Sequence, residues 1–295
     1  MADRREFLKA VGVTALAAAM PAVRAEQHMT MRPIPGTSES LSAVGLGNSQ
    51  AFRDGDEDTS RRLLNAYFER GGRYVDCSGD GALLVGRLAR ELGFGGDAFL
   101  GAYFSAERVD ESRRAARALL EATGKRILDL MHTYPEDGVP HWDNLRRLKD
   151  EGLTRYIGLA RHRPEFYDMM IGVMRTGTLD FLQVNLSPLE TEAEERILPM
   201  ALDAGVAVTI NRPFINGEYF AIVRDKTLPE WAAEFDCRSW AQFSLKYVLS
   251  HPAVTSVLTE TANPRHVVDN LGAGSGRLPD EKTRVRMREL IRSFA

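Results

Sequence analysis

The sequence predicts an α/β fold, a closed (βα)8 TIM barrel with an N-terminal β-hairpin plug and a C-terminal helix. Three observations carry this expectation. Eight short apolar runs alternate with amphipathic stretches, most at a spacing of roughly 25–30 residues, the length of one βα unit. The chain of 295 residues is the size of a single such barrel. An open doubly wound sheet is the alternative, but it announces a glycine fingerprint early, and Gly45-Leu46-Gly47-Asn48-Ser49-Gln50 lacks the third glycine.

The elements follow in order. Residues 30–34 and 41–43 flank the turn-rich tetrad Pro35-Gly36-Thr37-Ser38 and read as a hairpin that plugs the N-terminal end of the barrel. Barrel strands are expected at residues 42–45, 73–76, 98–103, 128–133, 155–160, 181–184, 206–210 and 254–258. Between them, Leu63, Leu64, Tyr67 and Phe68 share one helical face, as do Phe166, Met169, Met170 and Val173. Gly71, Gly152 and Gly205 follow helix ends. Trp231, Trp240 and Phe243 fall in a long segment before the last strand and read as packing. Gly272-Ala273-Gly274-Ser275-Gly276 follows a helix and reads as a flexible turn.

Composition is ordinary for a globular protein, 44% hydrophobic and 27% charged, with a formal net charge of −3. No basic block stands out, which argues against nucleic acid as a partner. Cys77 and Cys237 are too few for a disulfide scaffold and read as buried thiols. The 6 histidines are scattered, with no metal-ligand spacing, so no metal is expected. The first residues form an address. Arg4-Arg5 precede Phe7-Leu8-Lys9, an apolar run from Ala10 to Met20, and the small-residue site ending at Ala25. This is similar to a twin-arginine export signal. Residues 1–25 are then the signal and 26–295 the mature barrel domain, periplasmic or otherwise exported, with no membrane span. The signal holds four basic residues (Arg4, Arg5, Lys9, Arg24) and two acidic ones (Asp3, Glu6), so its removal takes the charge from −3 to −5.

Several stretches together resemble the aldo/keto reductase family. They are Arg32-Pro33-Ile34-Pro35 running into Val44-Gly45-Leu46-Gly47, Gly72-Arg73-Tyr74-Val75-Asp76, Leu128-Asp129-Leu130-Met131, and the run from Leu148 to Gly158. Gln183-Val184-Asn185-Leu186-Ser187-Pro188-Leu189, Asn263-Pro264 and Asp269-Asn270 complete the set. The resemblance implies NADP(H) lying extended over the C-terminal mouth of the barrel, with Gln183, Asn270, Arg265 and Asn263 as cofactor-binding positions. It also implies carbonyl reduction with a tyrosine as acid, a lysine that lowers the tyrosine's pKa, an aspartate paired with the lysine, and a histidine. A phenol of ordinary pKa about 10 needs such a nearby cation to give up its proton near neutrality.

Carried over residue by residue, the aspartate is Asp76. The stretch after it, Cys77 to Gly86, holds no tyrosine. Tyr103 stands where the lysine belongs, and Tyr134 where the histidine belongs. His132 lies two residues deeper than Tyr134 on the same side of its strand and is expected to be a hydrogen-bonded interior histidine. On the nicotinamide side Ala160-Arg161 replaces the usual Ser-Asn, and Thr259-Glu260 stands near the expected phosphates, where a carboxylate disfavours binding.

Asp76, Tyr134 and Tyr103 are therefore the candidate catalytic or recognition residues. The favoured expectation is an exported pseudoenzyme that binds a small-molecule ligand or a periplasmic protein partner at a mouth lined by Tyr103, Tyr134, Arg161 and Asp76. The alternatives are an NADP(H)-dependent oxidoreductase acting on aldehydes or ketones with Tyr134 or Tyr103 as acid, and a subunit of a larger periplasmic complex. A hydrolytic pair of Asp76 and Asp80 and an anion spot at Arg161-His162-Arg163 are weaker readings.

Overall fold

A computed structural model describes residues 29–104 and 107–295. The signal reading of residues 1–25 lies outside the described residues.

The hairpin is β1 (Met31–Pro33) and β2 (Ser40–Ser42), paired antiparallel with Met31 opposite Ser42. Gly36, at φ 73°, closes the turn between them, a left-handed backbone that glycine adopts without strain. Eight parallel strands then close a barrel: β3 (Val44–Leu46), β4 (Tyr74–Ser78), β5 (Phe99–Tyr103), β6 (Leu128–Thr133), β7 (Thr154–Ala160), β8 (Phe181–Asn185), β9 (Ala207–Asn211) and β10 (Val254–Thr259). Strand β10 pairs with both β9 and β3, so the sheet has no edge. The C-terminal helix is Glu281–Arg292.

Alternation along the strands sorts the side chains. Val75, Cys77, Leu100, Ala102, Met131, Ile157 and Leu182 face the helices and join the main core. Tyr74, Phe99, Leu130, Tyr156 and Phe181 point inward and form a separate cluster with Ile34 and Leu41 of the hairpin. The hairpin is thus the floor of the barrel, as expected. Its Glu39 is bonded by Arg155 and by the Tyr156 hydroxyl, and Arg155 also reaches the buried Asp129.

The register sets the next inward layer. Because the strands are staggered, Asp76 lies beside Gly101, and Tyr103 beside His132, itself beside Gly158. The two glycines make room for the polar groups. A methyl at Gly101 would fall on Asp76 Oδ1, and one at Gly158 would lie 2.6 Å from His132 Nδ1.

Some boundaries differ from the sequence reading, each for a local reason. Ser42 belongs to the hairpin, so the first barrel strand starts at Val44. Strand β4 continues through Cys77 and Ser78, which pair with Ala102 and Tyr103, and the helix Gly79–Glu91 begins at once. No loop separates them. Helix Tyr167–Arg175 buries Tyr167, Met170, Ile171 and Met174, leaving Met169 half exposed, so the face expected from Phe166, Met169, Met170 and Val173 is rotated. Leu63, Leu64, Tyr67 and Phe68 are all buried, as read. The glycine-rich Gly272–Gly274 is a packed 3-10 turn. Gly274 accepts a bond from Thr30 N at 2.7 Å, and a methyl on Gly272 would meet Gln242 Nε2 at 2.6 Å. Trp231, Trp240 and Phe243 form one aromatic cluster, with Phe243 fully buried.

Candidate ligand site at the barrel mouth

Asp76, from the middle of β4, is buried at 2% exposure at the centre of a polar cluster. Gln183 Nε2 donates to its Oδ2 at 2.7 Å, and Tyr103 Oη lies 3.1 Å from the same oxygen. Tyr103 Oη is also 2.7 Å from Gln183 Oε1, which accepts from Asn211 Nδ2 at 3.2 Å. A phenol has one proton, so Tyr103 divides it between two acceptors. Among the described residues, no lysine or arginine is bonded or ion-paired to either Asp76 or Tyr103. Burial first, and the Asp76 charge second, push the Tyr103 phenol well above its ordinary range.

His132 corrects an expectation. It is fully buried, but neither ring nitrogen has a hydrogen-bond partner. Its Nε2 instead lies 3.4 Å from Asp76 Oδ1, within ion-pair range when the ring is protonated. The depth comparison along one strand missed the stagger between strands, which sets His132 level with Tyr103. The rings of His132, Tyr103 and Tyr134 stack in series, with centroids 5.1 and 5.3 Å apart. Tyr134 sits just past β6 and is half-buried. Burial and then Asp76 raise its phenol above the ordinary value, while Arg161 opposes the rise.

Arg161, just past β7, crosses the mouth. Its guanidinium lies over the Tyr134 ring at 5.6 Å and pairs with Glu136 at 2.7 Å. Arg212, just past β9, pairs with Glu190 at 3.2 Å. His162 is held below its ordinary pKa by burial and by Arg212, Arg161 and Arg163, which leaves it neutral at pH 7. These groups border a cavity of about 300 Å³, with Asn48, Ser78, Asn211 and Asn216 on its walls. Asn48 Nδ2 donates to Ser78 Oγ at 2.8 Å. Beyond Glu260, which pairs with Arg53 at 3.5 Å, the cavity continues into a groove of about 570 Å³. Arg212, Ile215 and Asn216 carry positive φ angles of 51–53°, so the segment that borders both the cavity and the groove is strained. Sequence reasoning missed Arg212 and Asn216; the dipeptide Asn216-Gly217 is a turn signal that could have marked the second, whereas arginine at a left-handed backbone carries no such signal.

The expected cofactor positions divide. Gln183 is in the mouth, and both ends of its amide are engaged by Asp76, Tyr103 and Asn211. Asn263, Arg265 and Asn270 lie apart, on and before the helix Pro264–Leu271. Asn263 caps that helix by accepting from Arg265 N at 3.0 Å, Arg265 is exposed, and the buried Asn270 borders a cavity with Trp240 and His266. Asp80 is exposed on the first turn of its helix while Asp76 is buried, so the two carboxylates do not form a pair. Cys77 and Cys237 are free and buried. Burial raises both thiols, Cys237 to about 12. Among the described residues, no group of three or more His, Cys, Asp or Glu could hold a metal ion, and no helix is long and apolar enough to cross a membrane.

The buried phenols give one expected outcome. Burial raises Tyr67, Tyr74, Tyr103 and Tyr219 above the unfolded value of about 10. The unfolded chain therefore releases those protons first as the pH rises. Their contribution is intact below about pH 10 and shrinks above it, so stability falls on the alkaline side. Denaturant midpoints measured across that range, with a near-ultraviolet titration of tyrosinate, check this. Midpoints unchanged well above pH 10 would contradict it.

Comparison with known proteins agrees with this architecture. The aldo/keto reductase family model matches residues 105–286. An L-galactose dehydrogenase of Arabidopsis thaliana is 25% identical over 296 residues, covering 82% of this chain and 87% of its own length. An aldo-keto reductase of Mycolicibacterium vanbaalenii is 30% identical over 167 residues, 53% of this chain and 58% of its own. Among solved structures, the holo form of an aldo-keto reductase from Bacillus halodurans superimposes with a TM-score of 0.72 at 20% identity, covering 91% of this chain and 97% of that one. An aldo-keto reductase from Klebsiella pneumoniae in complex with NADPH gives 0.72 at 18% identity, covering 90% and 95%. The chain belongs to the aldo/keto reductase family.

Proposed function

We propose that this chain is a ligand-recognising aldo/keto reductase barrel, exported folded by the twin-arginine route, that does not carry out ordinary carbonyl reduction. The observation that carries the reading is the environment of Tyr103. Its hydroxyl is held against a buried carboxylate and an amide oxygen, with no lysine or arginine beside it. Such surroundings hold the proton on the phenol, the opposite of what an acid working near neutrality needs. Tyr134 is held in the same direction.

The residues present do not fit NADP(H). The Gln183 amide is already engaged at both ends, the Arg161 guanidinium lies across the mouth on the Tyr134 ring, and the Glu260 carboxylate stands in the groove. The mouth keeps what recognition needs, a polar cavity with tyrosines and arginines held by ion pairs.

Steady-state NADPH consumption with a panel of small aldehydes and ketones tests the reading. The expected rate is below that of active family members by roughly the 10²–10⁴-fold that a general acid contributes. Tyr134→Phe and Tyr103→Phe leave any residual rate unchanged. Ordinary family rates, or a residual rate abolished by either substitution, would contradict it.

A further inference from the structure

We propose a second ligand site on the opposite face of the barrel, a cavity beside the hairpin plug that takes a medium-chain aliphatic carboxylate. It lies apart from the mouth and does not depend on the reading of that site. The cavity has a volume of about 480 Å³ and opens at the N-terminal ends of β9 and β10. The hairpin, the helix Ile197–Asp203, the turn after helix Trp240–Leu249 and the segment before the C-terminal helix form its walls. Side chains at this end of a TIM barrel ordinarily close the core, and here they leave an opening.

The first observation is a cation without an anion. Arg32, in β1, is partly buried on the cavity wall. Its Nη1 donates to Val254 O and its Nη2 to Leu249 O, each at 2.6 Å, which caps the C-terminal end of helix Trp240–Leu249. No Asp or Glu borders the cavity, and burial lowers the pKa of Arg32 with no carboxylate to offset it. Arg155, Arg161, Arg212 and Arg284 are likewise withdrawn from solvent, and each has a carboxylate partner. A guanidinium carries five N–H donors in a fork that matches a carboxylate, so Arg32 keeps donors to spare. A carboxylate entering the cavity supplies the missing counter-charge. His251 adds a neutral donor beside it. The ring is 9% exposed and its Nδ1 accepts from Ala253 N at 3.2 Å, which places the proton on Nε2. Burial and Arg284 hold His251 below its ordinary pKa, so it is uncharged at pH 7, and the acids that act on it, Glu194 and Glu281, are both paired with Arg284.

The second observation is the rest of the wall. Pro33, Pro35, Pro252, Leu202 and Leu278 line it, and the two leucines are 50% and 40% exposed, apolar surface left open to water. The remaining polar side chains are already engaged. Ser250 Oγ donates to Tyr247 O at 2.8 Å, and Thr255 Oγ1 accepts from Val208 N at 3.2 Å. An inorganic anion gains nothing from the leucines and prolines, and a neutral hydrocarbon leaves Arg32 without a counter-charge. A peptide would bring further N–H and C=O groups, for which the wall keeps few partners, since Arg32 already occupies the Leu249 and Val254 carbonyls. An alkyl chain brings none. A carboxylate on a chain of about eight carbons fits within a cavity of this volume and meets both kinds of wall.

Titration of the purified protein with octanoate below its micellar concentration, followed by calorimetry and by amide NMR shifts, tests the site against 1-octanol, acetate and N-acetylleucine. Octanoate is expected to bind saturably with a Kd of about 0.1–1 mM, and each of the other three roughly 10-fold more weakly or worse. The shifts should centre on Gly205, Val206 and Ala253 and leave Tyr103 and Gln183 at the mouth unmoved. Arg32→Met is expected to weaken octanoate roughly 10-fold, to the level of 1-octanol. Because Arg32 also caps a helix, a second variant is placed on exposed surface. Leu202→Glu sets a like charge beside the carboxylate and removes apolar wall, and is expected to weaken octanoate roughly 10-fold with the melting temperature unchanged. Binding of 1-octanol or acetate as tight as that of octanoate, tighter binding of N-acetylleucine, shifts centred on the mouth, or no saturable binding of octanoate overturns the proposal, as does unchanged affinity in both variants.

Discussion

Asp129→Ala is expected to lower stability by about 3 kcal/mol, with a melting temperature lower by roughly 5–10 °C. Asp129 is 3% exposed near the floor of the barrel. Its Oδ2 accepts from Leu100 N at 2.8 Å and from Lys125 Nζ at 2.5 Å, and its Oδ1 from Arg155 Nη2 at 2.6 Å. Removing the carboxylate leaves a strand N–H unpaired and takes one anion from two cations. The effect reaches the plug, because Arg155 also holds Glu39 of the hairpin turn. Partial exposure of Arg155 keeps the expected cost toward the low end of buried pairs. Asn at the same position retains size and one acceptor, so Asp129→Asn should fall between wild type and alanine. Thermal and denaturant unfolding check the order. An alanine variant within 1 kcal/mol of wild type would show that the network is not structural.

Arg284→Met is expected to cost about 2–4 kcal/mol. The guanidinium is 5% exposed and bonds Glu194, pairs with Glu281 at 3.0 Å, and stacks at 4.6 Å over the ring of Tyr247. Tyr247 in turn donates to Glu194 at 3.0 Å. This arginine therefore ties the C-terminal helix to helix Trp240–Leu249 and to the short helix Glu192–Glu195. Methionine keeps the stacking but leaves Glu194 with Arg288 at 3.5 Å and the Tyr247 hydroxyl. A double-mutant cycle with Glu194→Gln should give a coupling of about 1–3 kcal/mol. Additive losses would mean that the two residues act separately.

The barrel was legible because its signals are local. Strand-length apolar runs at βα spacing located all eight strands to within a few residues, and β6 to the residue. Errors came where the chain has no turn to announce. The strand was expected to end at Asp76, but Cys77 and Ser78 also pair with β5 and pass directly into a helix. Met169 was assigned to a buried face that the structure rotates to Met170 and Met174. In the site, Asp76, Tyr103, Tyr134 and Gln183 were read from position in the pattern, and the structure brings these four together. The relation of His132 to them was not legible. It depends on the stagger between β5 and β6, and on Gly101 and Gly158 leaving space, which are properties of the closed sheet and of no single strand. Arg212 was not legible for a similar reason, since its place follows from an unusual backbone, while Asn216 carried a turn signal in Asn216-Gly217 that was passed over.

The central claim is that this barrel keeps its family's mouth but not its family's cofactor chemistry, and calorimetric titration with NADPH tests it most directly. The protein should be isolated gently enough to retain any resident cofactor. The predicted result is a folded protein with no cofactor released on denaturation and no saturable binding up to about 1 mM NADPH. Saturable binding at about 1–10 µM, worth roughly 7–8 kcal/mol, would show that Arg161 and Glu260 are accommodated and would contradict the account.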